Sequence, residues 1–239
     1  MKILVTGATS GIGRQLAIDY QRLGHEVWAV GRNEQALAEL AGKGLHTGKV
    51  DLTDRQTALN WFAGLESLDL AILNAGTCEY IDLPEFDSAL VSRVMRANVE
   101  SLAISIEGVL PLLRRGNNPH LVGVGSSASY VPLPRAEAYG ASKAAAAYML
   151  ETLRIDLARE NITVSLVSPG FVKTPLTDRN DFPMPMRVSI EQACEAIRRG
   201  IAKRHLEIHF PKRFTLSLKF LSLLPRRLWL AMAKRMVTT

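Results

Sequence analysis

The sequence predicts an α/β fold, a doubly wound parallel sheet with helices on both faces that is followed by an amphipathic helical tail. Two observations lead to this fold class. Short apolar runs rich in β-branched residues alternate with longer helical patterns, which is typical of βαβ units and a parallel sheet. A glycine-rich turn joins the first apolar run to the first helical pattern, and crossovers between parallel strands are expected to be right-handed.

The elements follow one another without a linker, an internal repeat or a low-complexity segment. The apolar runs predict strands over residues 2–6, 26–30, 68–73, 120–124 and 163–168, with a weaker strand at 49–50 and a last one at 205–210. The helical patterns predict helices over residues 11–23, 34–41, 55–63, 91–113 and the alanine-rich 137–159. We therefore expect one domain over residues 1–210, with residues 211–239 as a basic amphipathic extension of that domain.

Composition and charge narrow the class of protein. Cys78 and Cys194 are the only cysteines and the five histidines lack ligand spacing, so we expect no disulfide framework, no metal site and a cytoplasmic location. The first seven residues do not resemble a signal peptide, because their apolar run is short and leads into the glycine turn. Residues 203–239 hold nine Lys or Arg and one acid, a charge of +8, whereas the whole chain carries +6. The rest of the chain therefore carries −2, which disfavours a nucleic-acid-binding function.

The stretch Thr6-Gly-Ala-Thr-Ser-Gly-Ile-Gly13 lies between the first strand and the first helix, where a dinucleotide-binding motif belongs. Its glycines allow a tight turn and a close approach of the backbone to a ligand. The helix that begins there directs N–H groups and a positive dipole end towards a pyrophosphate, and the Ser10 hydroxyl adds a donor. A plain strand–turn–helix is the alternative, but the position of the motif favours a cofactor-binding turn formed by Gly7, Ser10, Gly11, Ile12 and Gly13.

The end of the second strand indicates which dinucleotide is bound. Chains that bind NAD usually carry an acid there for the ribose 2′-hydroxyl, whereas this chain has Gly31 followed by Arg32 and Asn33. A guanidinium can bind a 2′-phosphate in a bidentate way, so these residues favour NADP, against the alternative of a solvated surface arginine. Further cofactor contacts are expected after the third and fourth strands, at Asp51, Leu52, Asn74, Ala75 and Gly76.

Four motifs in this order resemble the short-chain dehydrogenase/reductase family in its single-domain form: TGxxxGxG at residues 6–13, Asn-Ala-Gly at 74–76, Tyr139-x-x-x-Lys143 and Pro169-Gly170. The resemblance covers residues 1 to about 210 and implies a Rossmann-type NADP-binding catalytic domain that assembles as a homo-oligomer, a dimer or a tetramer. It implies that Tyr139 is the proton donor or acceptor and Lys143 its partner, and that Asn98 supports a water chain leading to Lys143. Nicotinamide contacts are implied for Pro169, Gly170, Val172 and Thr174.

The resemblance also implies a serine that holds the substrate oxygen. The family usually places it thirteen residues before the tyrosine, which selects Ser126, whereas Ser127 becomes the candidate if the loop is one residue shorter. Tyr139 and Lys143 are one turn apart on a helix face. The charges of Lys143 and an oxidised nicotinamide should lower the pKa of the phenol, so that Tyr139 can exchange a proton with an alcohol or a carbonyl.

These residues predict an NADP(H)-dependent oxidoreductase that interconverts a carbonyl and an alcohol by hydride transfer on a small-molecule substrate. The alternative is a sensor of the same fold that binds NADP without turnover. The presence of all four catalytic residue types favours the enzyme. Phe182, Met184 and Met186 either line an apolar substrate pocket or pack their loop onto the body.

The basic tail is not explained by the resemblance. Its first predicted helix, over residues 213–224, has one polar stripe formed by Thr215, Lys219 and Ser222, and apolar residues cover the rest of its surface. Pro225 then interrupts the helix.

The tail has two interpretations. In the first, its apolar faces pack on the body or on a second subunit. In the second, residues 212–236 lie on the cytoplasmic face of a membrane, with Trp229 at the boundary and the cations towards anionic lipid. Its two segments, 213–224 and 226–236, are both shorter than the ~20 apolar residues that a membrane-spanning helix needs.

Overall fold

A sheet of seven parallel strands lies at the centre of the fold, in the order β3-β2-β1-β4-β5-β6-β7. The computed structural model describes residues 1–237, so the last two positions of the predicted extension lie outside the described residues. The strands are β1 (Lys2–Thr6), β2 (Glu26–Gly31), β3 (His46–Lys49), β4 (Leu70–Leu73), β5 (His120–Val124), β6 (Thr163–Pro169) and β7 (Glu207–Phe210). The predicted doubly wound parallel sheet is confirmed, although the weak strand predicted at 49–50 forms earlier, as β3.

Nine α-helices accompany the sheet within residues 1–237. They are α1 (Gly11–Arg22), α2 (Glu34–Ala41), α3 (Arg55–Ala63), α4 (Ser88–Met95), α5 (Ser101–Leu113), α6 (Glu137–Asp156), α7 (Ile190–Ala202), α8 (Lys212–Ser222) and α9 (Arg226–Lys234). A π-helix, Arg96–Glu100, joins α4 to α5, so the single helix predicted over 91–113 is wrong in detail. Helix α7 was not predicted at all.

Two apolar layers cover the two faces of the sheet, because successive side chains of a strand point to opposite faces. Strand β4 illustrates this: Leu70 and Ile72 join one buried cluster, whereas Ala71 and Leu73 join the other. Helices α1 and α7 contribute to the first cluster, and α3, α5 and α6 contribute to the second. Helices therefore pack on both faces, as a parallel sheet requires.

The strand order reverses between β1 and β4, which are neighbours in the sheet but not along the chain. In open α/β sheets, ligands bind at the carboxyl ends of the strands beside this reversal. The segments that follow β1, β4, β5 and β6 all leave the sheet at this edge. They carry the glycine turn, the Asn-Ala-Gly segment, Ser126 and the Pro169-Gly170 segment.

The tail packs on the body through polar residues as well as through the apolar side chains of Leu218 and Trp229. Thr215 is fully buried, and its hydroxyl is 2.7 Å from Nδ1 of His209, while Lys219 pairs with Glu207. Trp229 is only 6% exposed and donates from Nε1 to the carbonyl of Pro132 at 3.2 Å. The predicted position of Trp229 at a membrane boundary is therefore wrong. Within residues 1–237, no helix has the length and apolar character needed to span a membrane.

Candidate active site

A cavity of about 360 Å³ lies at the edge of the sheet where β1 and β4 meet. It is lined by the glycine turn, the end of β2, the residues after β3 and the segment after β4. A second cavity of about 120 Å³ continues from it towards α6 and shares part of its lining. The predicted cofactor residues that line the first cavity are Gly7, Ser10, Gly11, Ile12, Arg32, Asn33, Asp51, Leu52, Asn74, Ala75, Gly76 and Thr174. Those that line the second include Tyr139, Lys143, Pro169, Gly170 and Val172.

The glycine turn brings backbone to the floor of the larger cavity. Gly7 and Gly11 have φ angles of +63° and +52°, which side chains larger than hydrogen rarely adopt. A Cβ atom at Gly7 would lie 2.8 Å from the Cα atom of Ala75. Gly13 is buried outside the lining, where a Cβ atom would collide with the carbonyl of Gly7, so this predicted cofactor residue keeps α1 close beneath the turn.

The amide of Asn74 holds the glycine turn in place. Its Nδ2 donates to the carbonyl oxygens of Thr6 at 3.2 Å and Gly7 at 3.3 Å. In return, the hydroxyl of buried Thr6 accepts hydrogen bonds from the N–H groups of Asn74 and Ala75. This reciprocal contact joins the ends of β1 and β4 and leaves a smooth cradle of backbone beside the cavity.

Small residues make this cradle fit a dinucleotide. A Cβ atom at Gly31 would lie 2.5 Å from Cγ2 of Thr9, and one at Gly76 would lie 2.8 Å from Oδ1 of Asn98. Larger side chains at these positions would displace the residues that shape the two cavities. The turn also precedes helix α1, whose first N–H groups face the cavity as donors for a phosphate.

An exposed guanidinium stands at the far end of the larger cavity. Arg32 Nη1 lies 4.0 Å from Oδ2 of Asp51, and the Arg32 side chain is 76% exposed. Asp51 Oδ1 accepts hydrogen bonds from the backbone and hydroxyl of Thr53, which lower the pKa of this carboxyl. An ion pair this exposed contributes little to stability, so Arg32 is available to a ligand in the cavity.

The smaller cavity brings the predicted catalytic residues together. Tyr139 and Lys143 share one face of α6, and Ser126 lines the same cavity. Ser126 caps a short 3₁₀-helix, Ser127–Ser129, by accepting a hydrogen bond from the N–H of Ala128 at 3.1 Å. Ser127 is buried and lies outside the lining. Of the two serines left open by the sequence, Ser126 is the one beside Tyr139.

Burial favours the neutral forms of both α6 residues. It raises the pKa of Tyr139, while a hydrogen bond with Ser126 acts in the opposite direction. It lowers the pKa of Lys143 to about 8, and the Nζ of this residue donates to the carbonyl of Val124 at 3.0 Å. Among the groups of the chain itself, desolvation of the phenol has the largest effect on the pKa of Tyr139. The expected lowering also requires the charge of an oxidised nicotinamide and stays a prediction.

Asn98 occupies the π-helix between α4 and α5, a local widening of the helix that is frequent at functional sites. Its Oδ1 accepts from the N–H of Thr77 at 2.7 Å, and its Nδ2 donates to the Thr77 carbonyl and to the Ser142 hydroxyl, both at 2.9 Å. Ser142 in turn donates to the carbonyl of Tyr139 at 2.7 Å. Asn98 lies outside both cavity linings and braces the segment after β4 against α6.

Aromatic residues lie beside Tyr139, and one of them, Tyr80, was not singled out from the sequence. The Tyr80 ring centroid is 6.3 Å from that of Tyr139 and 5.1 Å from that of Phe182. Phe171 lies 6.2 Å from Phe182 on its other side. Phe182 thus packs its loop onto the body and also stands near the catalytic residues, so its two interpretations are compatible. Tyr80 is identified as a residue of the site only by its distance from Tyr139, and no sequence pattern indicates that contact.

The site gives no indication of a bound metal. Within residues 1–237, His, Cys, Asp and Glu side chains form no group of three or more that could hold a metal ion. Both cysteines are free thiols, with Cys78 near Tyr80 and Lys143 and with Cys194 buried under α1. Burial raises the pKa of each thiol.

Known proteins share both the sequence and the fold. The family model described as "short chain dehydrogenase" matches residues 1–183. An uncharacterized oxidoreductase of Myxococcus xanthus is 35% identical, covering 98% of this chain and 96% of the relative. A 3beta-hydroxysteroid dehydrogenase of Mediterraneibacter gnavus is 33% identical, covering 78% of this chain and 71% of the relative.

Solved structures extend the comparison to the whole fold. A short chain dehydrogenase from Burkholderia cenocepacia in complex with NADP superposes with a TM-score of 0.87, at 24% identity, covering 97% of this chain and 96% of the other. A short chain dehydrogenase/reductase from Burkholderia phymatum in complex with NAD superposes with a TM-score of 0.81, also at 24% identity, covering 91% of each chain. At this identity the two structures support the fold alone. From the family match and the relatives, the chain belongs to the short-chain dehydrogenase/reductase family of oxidoreductases.

Proposed function

We propose that this chain is an NADP(H)-dependent oxidoreductase that interconverts a carbonyl and an alcohol, with Tyr139 as proton donor or acceptor. The observation that carries this proposal is the shared cavity of Ser126, Tyr139 and Lys143, which opens into the larger cavity beside the glycine turn. A dinucleotide bound along the larger cavity would present its nicotinamide to the smaller one. Pro169, Gly170 and Val172 line the smaller cavity, and Thr174 lines both.

In the direction of reduction, the bound NADPH supplies the hydride for the carbonyl carbon. Ser126 holds the carbonyl oxygen by donating a hydrogen bond, which fixes the substrate beside Tyr139. Because burial raises the pKa of Tyr139, the phenol keeps its proton near neutral pH and gives it to the oxygen as the alcohol forms. Charged Lys143 stabilises the resulting phenolate until solvent returns the proton. In the direction of oxidation each proton moves the opposite way.

The preference for NADP rests on the end of β2. Arg32 lines the larger cavity and is exposed there, so its guanidinium can bind a 2′-phosphate in a bidentate way. Gly31 occupies the position where an acid would hold the 2′-hydroxyl of NAD, and Thr9 fills the space that such a side chain would need. Both features favour NADPH over NADH.

The substrate is a small molecule that meets an aromatic wall. The Tyr80 ring neighbours that of Tyr139, and the rings of Phe182 and Phe171 continue the row away from it. This row of aromatic rings favours an apolar carbonyl or alcohol as substrate. One relative acts, by its name, on a 3β-hydroxysteroid, so hydroxysteroids and oxosteroids belong among the compounds to test.

The working form is proposed as a cytoplasmic homo-oligomer. Tyr148 and Ile155 lie two turns apart on α6, and both are exposed, which favours contact with a second copy. The two free thiols fit a reducing compartment.

A screen separates the enzyme from an NADP-binding sensor of the same fold. NADPH and NADH oxidation would be followed with ketones, aldehydes, quinones and oxosteroids, and alcohol products would be identified by mass spectrometry. Binding of each cofactor would be measured separately by calorimetry. Turnover with NADPH supports the proposal, whereas tight NADPH binding without turnover of any compound favours the sensor. Failure to bind either cofactor would contradict both.

A further inference from the structure

Helix α8 and its C-cap residue, Leu223, expose three large apolar side chains on the side that faces away from the body. Leu216, Phe220 and Leu223 are 53%, 66% and 81% exposed. They are spaced by four and three positions, so they lie on one face of the helix and form a continuous stripe. These three residues are called the outer row.

Helix α8 turns both apolar and polar residues towards the body, so its inward side does not hold all of its large apolar side chains. Leu218 is buried against Val131 and Trp229. Thr215 and Lys219 face strand β7, where they contact His209 and Glu207. Glu207 also accepts hydrogen bonds from the hydroxyls of Tyr130 and Ser168. This network fixes α8 in place, because turning it over would leave the half-buried Glu207 without Lys219.

Cations accompany the outer row. Residues 208–237 contain seven Lys or Arg and no Asp or Glu. Lys219 is paired inward, whereas Lys212 and Arg213 at the start of α8, and Arg226 and Arg227 after its end, are exposed. Helix α9 carries three further exposed apolar side chains, those of Leu228, Leu230 and Met232.

We propose that the outer row and these four cations form a docking surface for a membrane rich in anionic phospholipid. The helix lies in the plane of the interface, with its apolar stripe towards the acyl chains and its cations among the phosphates. Each cation near such a surface strengthens attachment, and a few together suffice for reversible binding.

Charge argues against a second copy as the occupant of this surface. A two-fold symmetric contact would place the same patch on both partners. Lys212, Arg213, Arg226 and Arg227 of one copy would then approach those of the other, and no acidic side chain between residues 208 and 237 could neutralise them. An anionic lipid surface supplies the opposite charge together with an apolar phase.

The test compares binding of the full-length protein to vesicles of phosphatidylcholine alone and to vesicles that also contain phosphatidylglycerol, at low and high salt. Point variants are preferred to deletion of the tail, because deletion would remove the partners of Glu207 and His209. The triple variant L216S/F220S/L223S removes the outer row. Its matched control, L23S/L83S/F86S, changes two leucines and one phenylalanine that are comparably exposed elsewhere. The pair R226Q/R227Q is matched by K43Q/K203Q, which removes the same charge from exposed positions.

We expect binding to the anionic vesicles only, with release at high salt. R226Q/R227Q should reduce the vesicle partition coefficient about 30-fold and the outer-row variant at least ~10-fold, while both controls bind like the wild type. The proposal is wrong if the wild type ignores anionic vesicles, or if each variant behaves like its control. It is equally wrong if the outer-row variant alters only the oligomeric mass measured by light scattering.

A second experiment tests the same surface with a fluorescent residue at position 220, a change that keeps the side chain apolar. The variant Phe220→Trp should add fluorescence that brominated phosphatidylglycerol quenches, whereas the wild-type fluorescence, including that of buried Trp229, should be quenched far less. Equal quenching of variant and wild type would overturn the proposed orientation.

Discussion

The Nζ atom of Lys143 lies 5.9 Å from the centroid of the Tyr139 ring, within one cavity that also contains Ser126. Burial works on the two groups in opposite directions, raising the pKa of Tyr139 and lowering that of Lys143 to about 8. Both shifts favour uncharged groups. At neutral pH the phenol therefore retains its proton, while Lys143 remains mostly charged at the expense of folding stability.

Removal of the phenolic hydroxyl should abolish most of the activity. Tyr139→Phe retains the ring but loses the transferable proton, so we expect turnover with NADPH to fall at least ~100-fold. The affinity for NADPH, measured by calorimetry, should change little. Tyr148→Phe is the matched control, because Tyr148 is an exposed tyrosine on the same helix. Turnover of Tyr139→Phe close to that of the wild type would refute the role of the phenol.

Replacement of the buried lysine should increase stability while it removes activity. Lys143→Met keeps the length of the side chain and removes the cost of burying a charge, at the loss of one hydrogen bond to Val124. The lowered pKa corresponds to a cost on the order of 3 kcal/mol at neutral pH. We expect Lys143→Met to have a larger free energy of unfolding than the wild type at pH 7, by up to that amount.

The pH dependence of this difference follows from the direction of the shift. Below pH 8 both the folded and the unfolded chain hold the proton of Lys143, so its cost is constant. Between pH 8 and the ordinary value of 10.5, only the unfolded chain holds it, and wild-type stability gains relative to the variant. Tyr139 and Cys78 also face Lys143, but both proteins contain them. Urea unfolding at pH 7 and pH 10 would contradict this account if the gap widened with pH.

Cofactor choice should depend on Arg32. Arg32→Ala removes a charge-assisted hydrogen bond to the 2′-phosphate, so we expect the Kd for NADPH to rise about ten- to a hundred-fold. The Kd for NADH should stay nearly constant, because that cofactor lacks the phosphate. Arg22→Ala, at an exposed position at the end of α1, serves as the control. An equal loss of affinity for both cofactors would show that Arg32 does not bind the phosphate.

The sequence predicts the parallel sheet and most of the candidate site because these depend on local patterns. The glycine turn, the Asn-Ala-Gly segment and the Tyr–Lys pair each follow a strand or begin a helix, and strands in one parallel sheet bring such segments to one edge. Helix α7 could have been predicted too. Ser189 and Gln192 form a capping box at its start, and Ala193, Ile197 and Ile201 repeat every four residues along its buried face.

The orientation of the tail could not be predicted from its own residues. The polar stripe of α8 suggests a side that faces water, and only the tertiary contact reveals that Glu207 and His209 of β7 receive it. These two residues alternate along the strand and share one face. The position of Tyr80 beside Tyr139 likewise depends on a loop path that no local pattern determines.

The buried position of Trp229 leads to a last prediction, which separates packing from lipid contact for this residue. Trp229 packs with Val131 and Leu218, and its indole N–H donates to the carbonyl of Pro132. Trp229→Ala should lower the free energy of unfolding by about 3 kcal/mol, because it leaves a cavity and an unpaired carbonyl. Leu230→Ala, at the exposed neighbouring position, should change stability by no more than about 0.5 kcal/mol. Urea unfolding in the absence of lipid measures both, and equal stability of the two variants would mean that α9 does not pack on the body through its tryptophan.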